Sequence, residues 1–477
     1  MNTLPMESFN IQRAIGVTTT ASVSGVSTIA TFTPHGVPFL WGTGDIITPS
    51  SAGFALTAFD AEEYDLFGRD VAVGCGKIVI GAENGGGSDP SGGSYGSAYI
   101  YDLDGTNVIK IMADSATRSG YDNFGLAIDV GCGRIVVGAY DSDYTAPNVN
   151  TGVGGGAVYV FDLDGNQLGI VTASDAEYND HYGYSVAVGH NKIVVGADNE
   201  SSVDTYAGAA YIYDLDGTNE IKLTPPPMNN NIGVNYPYGP RYDSFGHSVA
   251  IGCGRIVVGA PFSDVLLPGE TIGSSNSGRV YIYDLDGNLI THLNTGYWND
   301  WIDYSTSARF GYSVAVGDGL IVVGAISAYG SNQGGIYVYD IDGNPLFAAN
   351  KNTLGVGRDF QDNFGRGVAV GHGRIVVSAP GDDGIINDNW RPGAVYILDY
   401  FGNLIERILA PDATRSENFG QHLAMGCGKI ILSEHAWDFY TGGVSPVAQI
   451  LNGGRAWIRN TPHVYTAYDL FDMENGD

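Results

Sequence analysis

The chain has 477 residues, of which 70 are Gly and 30 are Tyr, and only 16% are charged. That mix suits short strands joined by tight turns and excludes a helical protein built on Lys and Glu. With 52 acidic against 22 basic residues, a net charge of −30, the surface repels phosphate backbones and anionic membranes, which excludes nucleic acid as the main partner.

Met1 to Ser8 has neither the basic nor the apolar region of a secretory leader, and the expectation is a chain without one. No stretch is long and apolar enough to insert in a membrane. Residues 1–35 read as an N-terminal arm, with the β-branched, Ser/Thr-rich run from Thr18 to Ile29 as an extended or edge strand. Gly36 to Thr48 resembles the second half of a repeat found further on, such as Gly278 to Ile290. From Leu56 the chain leads into the first aromatic-Gly pair much as Leu409 to Asn418 leads into the last.

A unit then recurs. The aromatic-Gly pairs begin at Phe67, Phe124, Tyr182, Phe245, Phe310, Phe364 and Phe419, and in every copy a small closing pair begins 14 residues later, from Gly81 through Ser378 and Ser433. Constant inner spacing with variable outer spacing marks a repeated structural unit. Each unit parses into four strands. Strand one is of the Val71-Ala72-Val73 type, and a tight turn leads to strand two, of the Ile135-Val136-Val137 type. Strand three alternates aromatic and aliphatic residues, as in Val158 to Phe161, and an Asp-Gly hairpin leads to a short strand four such as Glu220 to Leu223. Strands one and two are apolar on both faces and are expected mid-stack, with strands three and four further out.

Seven units predict an all-β, seven-bladed β-propeller of four-stranded antiparallel blades with an N-terminal extended arm, spanning residues 36–470 and followed by a flexible tail at 471–477. The seventh unit has its first two strands at His422 to Met425 and Lys429 to Leu432. Its remaining strands have C-terminal candidates, Arg455 to Arg459 and Val464 to Tyr468, and N-terminal ones, Phe39 to Trp41 and Asp45 to Thr48. The reading favours a last blade mixed from both ends, which removes an exposed sheet edge. The alternative is a ring completed by the C-terminus alone.

The order aromatic-Gly, apolar strand, turn, apolar strand and Gly-Ala, with Gly259-Ala260-Pro261 as the fullest example, resembles the FG-GAP repeat of integrin-α-like seven-bladed propellers. The resemblance covers about residues 54 to 470. It implies an adhesion or assembly role, and points to a phage or viral structural member. Many members of that family carry an Asp-rich calcium loop between strands one and two. Here the slot is a bare turn, as in Gly74-Cys75-Gly76 and Gly317-Asp318-Gly319, so no cofactor is expected and structural calcium lacks the family's loop.

Four features could carry chemistry. Cys75, Cys132, Cys253 and Cys427 share that turn in different units and are expected to be unpaired. The Asp-x-Asp-Gly motifs, such as Asp162/Asp164 and Asp284/Asp286, read as hairpin turns, since no further carboxylate follows at metal-binding spacing. An acid stands two residues before six of the seven aromatics (Asp65, Asp122, Asp180, Asp243, Asp362, Glu417) and is expected to fix the entry to strand one, with Ala308 the exception. The histidines match no catalytic motif.

Topology adds a direction. Turns one-two and three-four share one face of a propeller and are uniform here; the other face holds every long loop. Recognition usually resides in such loops, and their aromatics Tyr144, Tyr236, Tyr238, Tyr297, Trp298, Trp301, Tyr304 and Trp390 are the candidate contact residues. The expectation is a non-enzymatic structural or recognition propeller. The leading setting is a virion surface or a tail or fibre component, mediating assembly or host attachment. Its partners would be other virion or surface proteins reached through the arm, or a cell-surface glycan or protein receptor, within a larger oligomeric assembly. The alternative is an extracellular or cell-surface glycan-binding adhesin, and a propeller hydrolase or lyase comes third.

Overall fold

The computed structural model describes residues 19–23, 26–32, 38–40, 54–60, 65–85, 95–114, 122–144, 155–203, 205–226, 242–264, 276–294, 307–329, 332–357, 361–383, 392–410, 418–434 and 455–461. The chain divides into two compact units, Met1–Ala52 with Thr461–Asp477, and Gly53–Asn460. In the first, Thr19–Val23, Val26–Phe32 and Pro38–Leu40 form a three-stranded antiparallel sheet. The second holds seven four-stranded antiparallel blades, a narrower span than the 36–470 read from sequence.

Blade 1 shows the plan: Phe67–Gly74, Lys77–Ala82, Ser97–Asp102 and Ile109–Ile111 pair in that order as a meander. The first strands of successive blades contact one another in cyclic order, and Leu423–Gly426 of blade 7 returns to Phe67–Gly74 of blade 1, so the ring closes on itself.

Closure uses both chain ends. Blade 7 consists of Leu423–Gly426, Lys429–Glu434, Arg455–Asn460 and, as fourth strand, Phe54–Leu56, with Ala456 paired to Leu56 and Ile458 to Phe54. The mixed blade expected from sequence is therefore present, but its N-terminal strand is neither Phe39–Trp41 nor Asp45–Thr48. Pro38–Leu40 pairs with Val26–Phe32 instead. Connection length accounts for this: Leu56 precedes Phe67 by about the interval that separates Leu409 from Phe419, whereas Leu40 is far too distant. Glu434, buried beneath this blade, accepts from Trp457 Nε1 at 2.8 Å and from Arg455 Nε.

Burial corrects a second expectation. Strand two is buried as expected, fully so in Leu320–Ala325 and Arg374–Ala379, but strand three is buried just as deeply, as in Ala157–Phe161 and Ala394–Leu398, whereas strand one is half-buried in several blades, as in Ser248–Gly252. Strand three lies between the faces of neighbouring blades, while strand one has one side on the axial channel. The alternating Tyr residues that looked amphipathic are core residues. Five of the repeat aromatics pack edge-on against one of them: Phe67 on Tyr99, Phe124 on Tyr159 and Phe310 on Tyr337 at 5.3 Å, Tyr182 on Tyr211 at 5.4 Å, and Phe364 on Tyr396 at 5.2 Å between ring centroids. Such pairs add about 0.5–1.5 kcal/mol each beyond the area they bury.

The glycine of the closing pair is a seam residue. A Cβ on Gly81, Gly138, Gly196 or Gly324 would sit 2.0 Å from the backbone oxygen of Gly125, Gly183, Gly246 or Gly365 in the next blade. Only glycine fits such an approach. Blades 6 and 7 carry Ser378 and Ser433 at this position, and there the opposing Gly420 and Gly68 stand further off: their own Cβ positions lie 3.2 and 3.4 Å from the serine Cβ. The serine hydroxyls accept from Gly367 N and His422 N, each at 2.8 Å.

Candidate functional site

Every aromatic-Gly pair is the centre of one reverse turn. The residue two places after the aromatic donates its N–H to the carbonyl of the residue just before it: Arg69 to Leu66, Leu126 to Asn123, Tyr184 to His181, His247 to Ser244, Tyr312 to Arg309, Arg366 to Asn363 and Gln421 to Asn418, at 2.9 to 3.2 Å. The glycine takes φ between 79° and 94°, as the third residue of a type II turn requires. The residue before the aromatic is itself left-handed in all seven blades, from Ser244 at 51° to His181 at 59°. This turn opens strand one, so it lies at the end opposite the uniform turns and beside the axis. Both of its flanking side chains are thereby brought to the mouth of the ring on the long-loop face.

At blades 3 to 5 the mouth is aromatic. His181 and Tyr184 stack at 6.2 Å, Tyr184 meets His247 at 5.1 Å, and His247 meets Tyr312 at 4.8 Å. Asp198 lies beneath them and binds both imidazoles, His181 Nδ1 at 3.0 Å and His247 Nδ1 at 3.2 Å. Burial works against its charge, but the two histidines outweigh burial and hold the Asp198 carboxyl below the usual carboxylate range.

At blades 5 to 7 the same positions are cationic and amidic. A cleft of about 490 Å³ is lined by Arg309, Arg366, Asn363, Asn418 and Gln421 from the turns, by Asn332 and Gln361 beside them, and by Ile326, Pro380 and Gly381. Arg366 lies over the Tyr312 ring at 4.6 Å and its Nη1 donates to the Tyr312 hydroxyl. With its carboxamide oxygen toward the guanidinium, Gln421 accepts from Arg366 Nη2 at 2.5 Å and Nε at 3.1 Å. Arg309 lies over the Phe262 ring at 5.4 Å, and its buried Nε has no hydrogen-bond acceptor among the described residues. Next round the ring, blade 1 places Arg69 against Glu83 at 2.9 Å and Asp70 against His422 of blade 7 at 3.4 Å.

The uniform face is stitched turn to turn. In all seven strand one-two turns the first central residue is left-handed, with φ from 48° to 51°, and in six of them Gly follows, also at positive φ; in blade 3 Asn191 takes its place. This is the I′ geometry of tight hairpins. Cys75 Sγ accepts from Gly133 N at 3.4 Å, His190 Nε2 from Gly254 N at 3.2 Å, and Asp318 Oδ2 from Gly373 N at 3.2 Å, each across to the next blade. All four cysteines are free.

The Asp-x-Asp-Gly motifs are consumed by their own hairpins. Asp162 Oδ1 accepts from Asp164 N at 3.0 Å and Asn166 N at 2.8 Å, and Asp284 and Asp340 repeat the pattern. Among the described residues no group of three or more His, Cys, Asp or Glu is arranged to hold a metal ion. Of the acids preceding the aromatics, Asp65, Asp122, Asp180, Asp243 and Asp362 are buried, and Glu417 lies outside the described residues. Asp180 accepts from Glu177 N at 2.6 Å, Asp243 accepts from the Ser263 hydroxyl at 3.0 Å, and Asp362 pairs with buried Lys351 at 3.0 Å. Burial pushes Asp180 up to about 7 and Asp243 up to about 6.

Of the eight loop aromatics singled out in the sequence, Tyr144 is half-buried against the core between blades 1 and 2. Tyr236, Tyr238, Tyr297, Trp298, Trp301, Tyr304 and Trp390 lie outside the described residues. The mouth positions and the cleft were not anticipated. The signal was present: positions one before and two after each aromatic are occupied by Leu66/Arg69, His181/Tyr184, Arg309/Tyr312 and Asn363/Arg366, dissimilar residues at places where the fold repeats.

A closed, seven-bladed ring of four-stranded antiparallel blades defines a β-propeller. The FG-GAP repeat family matches residues 55–101, 166–213, 239–283 and 358–398, which fall mainly on blades 1, 3, 4 and 6, and together with the seven-bladed ring these matches support the FG-GAP propeller family. No curated protein matches the chain. Among the described residues no helix is long and apolar enough to cross a membrane.

Proposed function

We propose that the protein is a non-enzymatic recognition propeller that engages its partner through the long-loop face. The observation that carries this reading is the pair Tyr206 and Tyr242. They stand on that face where blade 3 meets blade 4, with rings 5.5 Å apart and relative exposures of 38% and 57%. Both have left-handed backbones, with φ of 53° and 62°. Holding a bulky residue there costs about 1–2 kcal/mol, and strain of this kind concentrates where a surface is used. Exposed tyrosines serve as anchors for proteins and for the apolar faces of sugars.

The setting we propose is a virion surface or a tail or fibre, where the ring mediates assembly or host attachment. The FG-GAP repeats support an adhesion or assembly role of this type. The second reading, an extracellular or cell-surface glycan-binding adhesin, is favoured by the same tyrosine pair as a sugar platform. Co-sedimentation of the protein with assembled particles separates the two, since an adhesin remains in the supernatant. In either setting a Tyr206→Ala/Tyr242→Ala variant is expected to lose about tenfold or more in attachment to the target surface while keeping its melting temperature. Attachment unchanged in that variant refutes the role of this face.

A further inference from the structure

We infer that the cleft at blades 5 to 7 is a binding site for an acidic saccharide, with the sugar carboxylate held between Arg309 and Arg366. The inference rests on the recognition reading above and assigns a ligand class to one part of the same face.

Charge favours an anion here. The chain carries 52 acidic against 22 basic residues, yet among the described residues that line this cleft none is acidic and two are arginines. Two acids of the framework are buried: Asp362 is 1% exposed and paired with Lys351 at 3.0 Å, and Lys351 also reaches Asp382, itself fully buried, at 3.2 Å. The guanidinium groups therefore face the cleft without a carboxylate among its described lining residues.

The second argument is unfilled donor capacity. A guanidinium has five N–H groups. Those of Arg366 that meet Tyr312 and Gln421 fix its plane, and two remain for a ligand. Arg309 is positioned by the Phe262 ring, and its buried Nε has no acceptor among the described residues. A buried cationic donor with no acceptor is a costly thing to leave in a fold, and a planar carboxylate is the anion whose shape a guanidinium fork matches.

The third argument selects a sugar as the carrier of the carboxylate. Asn332, Gln361, Asn363 and Asn418 place carboxamides around the arginines. Each carboxamide pairs a donor with an acceptor, which is the complement of vicinal hydroxyls. Ile326 and Pro380 supply an apolar patch for the C–H face of a pyranose. The net charge of −30 works against a polyanion such as an oligophosphate, and favours a ligand whose charge is single and local. The backbone is set for this display: Asn332, Gln361, Asn363, Arg309 and Asn418 all have φ between 53° and 67°.

The test is titration calorimetry on the full chain with N-acetylneuraminic acid and galacturonic acid as probes, against methyl galactoside, sodium sulfate and an Asp/Glu-rich peptide. One of the acidic sugars is expected to bind at least about tenfold more tightly than the neutral sugar and sulfate, with affinity falling as salt is raised. Arg309→Gln and Arg366→Lys are each expected to lose about tenfold, the second because it keeps the charge but not the fork. Asn363→Ala, which leaves both arginines in place, is expected to lose a few fold, and melting curves identify any variant that fails to fold. Binding of neither acidic sugar, equal binding of the neutral sugar or of sulfate, preferred binding of the peptide, or sugar binding indifferent to the arginine variants overturns the inference. Attachment that still depends on Tyr206 and Tyr242 would then leave the recognition reading standing, whereas loss of that dependence with sugar binding intact would remove the reading and keep the site.

Discussion

The seams of blades 1 to 5 and those of blades 6 and 7 solve one packing problem in two ways. In the former a glycine lets the backbones meet, as where a Cβ on Gly196 would lie 2.0 Å from Gly246 O. In the latter Ser378 and Ser433 hold the neighbour away and capture an N–H in exchange. Beside the tight seams of blades 3 and 4 the turn residues close into a packed aromatic and histidine cluster around Asp198. The cleft borders one seam of each kind: Ile326 directly follows Ala325 on the tight seam of Gly324, and Pro380 and Gly381 directly follow Ala379 on the seam of Ser378. The same register positions thus line a cleft in one part of the ring and are committed to packing in another.

The comparison can be broken most severely at a tight seam. Gly324→Ala is expected to cost about 3–4 kcal/mol, since its Cβ would meet Gly365 O at 2.0 Å and a backbone atom cannot step aside. Ser378→Ala, which keeps the Cβ and loses the bond from Gly367 N and a long one of 3.5 Å to Gly367 O, is expected to cost about 1 kcal/mol. Denaturant titration of both variants checks the ratio; equal losses would mean that the seams do not differ.

The acids below the two halves of the mouth offer the next contrast. Asp362→Asn is expected to lose about 3 kcal/mol, because it removes one partner of a buried ion pair and leaves Lys351 with less than its charge requires. Asp243→Asn acts in the opposite direction. Burial raises the Asp243 carboxyl from 3.8 to about 6, so the folded state holds its proton more tightly than the unfolded chain does. The wild type therefore loses stability as pH rises from about 4 through 6, and the asparagine variant is expected to be more stable by about 2 kcal/mol at pH 8 and no more stable at pH 4. Thermal melts at pH 4, 6 and 8 check this. A constant difference between the variants would exclude titration as its cause.

The smallest effect belongs to the uniform face. Cys75 has φ 49° in a position where glycine is unstrained, and its sulfur accepts only a long bond of 3.4 Å from Gly133 N. Cys75→Gly is expected to change stability by about 0.5 kcal/mol or less, relief of strain offsetting the flexibility gained by the unfolded chain. A loss above about 2 kcal/mol would give that sulfur a larger role than geometry assigns.

The fold was legible because its signals are local and repeated. Phe67-Gly68 and its six counterparts are each a complete turn, and Asp162-Leu163-Asp164-Gly165 is a complete hairpin, so each motif could be read without knowing what it packs against. What depended on distant partners was misplaced. The Tyr residues of strand three alternate as if one face met water, yet Tyr159 and Tyr211 are fully buried because a neighbouring blade covers that face. The strand that completes blade 7 is only three residues long, Phe54–Leu56, too short for a periodic signal. The cleft was harder still. Arg309 and Arg366 belong to different blades, and nothing along the chain states that positions one before and two after successive aromatics share a mouth. Once the turn is known, that placement follows.

The pairing of Phe54–Leu56 with Arg455–Asn460 also sets a timetable. The strand that finishes the ring is made before blade 1, and the edge it needs is made after blade 6. At about 5–20 residues per second, the roughly 400 residues between them take on the order of 20–80 s to synthesise. Throughout that interval the nascent chain holds an incomplete arc with an open edge at each end. Blades 1 to 6 can stack as they emerge, but the decisive contact is a meeting of the two chain ends, so a molecule truncated anywhere before Arg455 should be a target for quality control rather than a smaller ring.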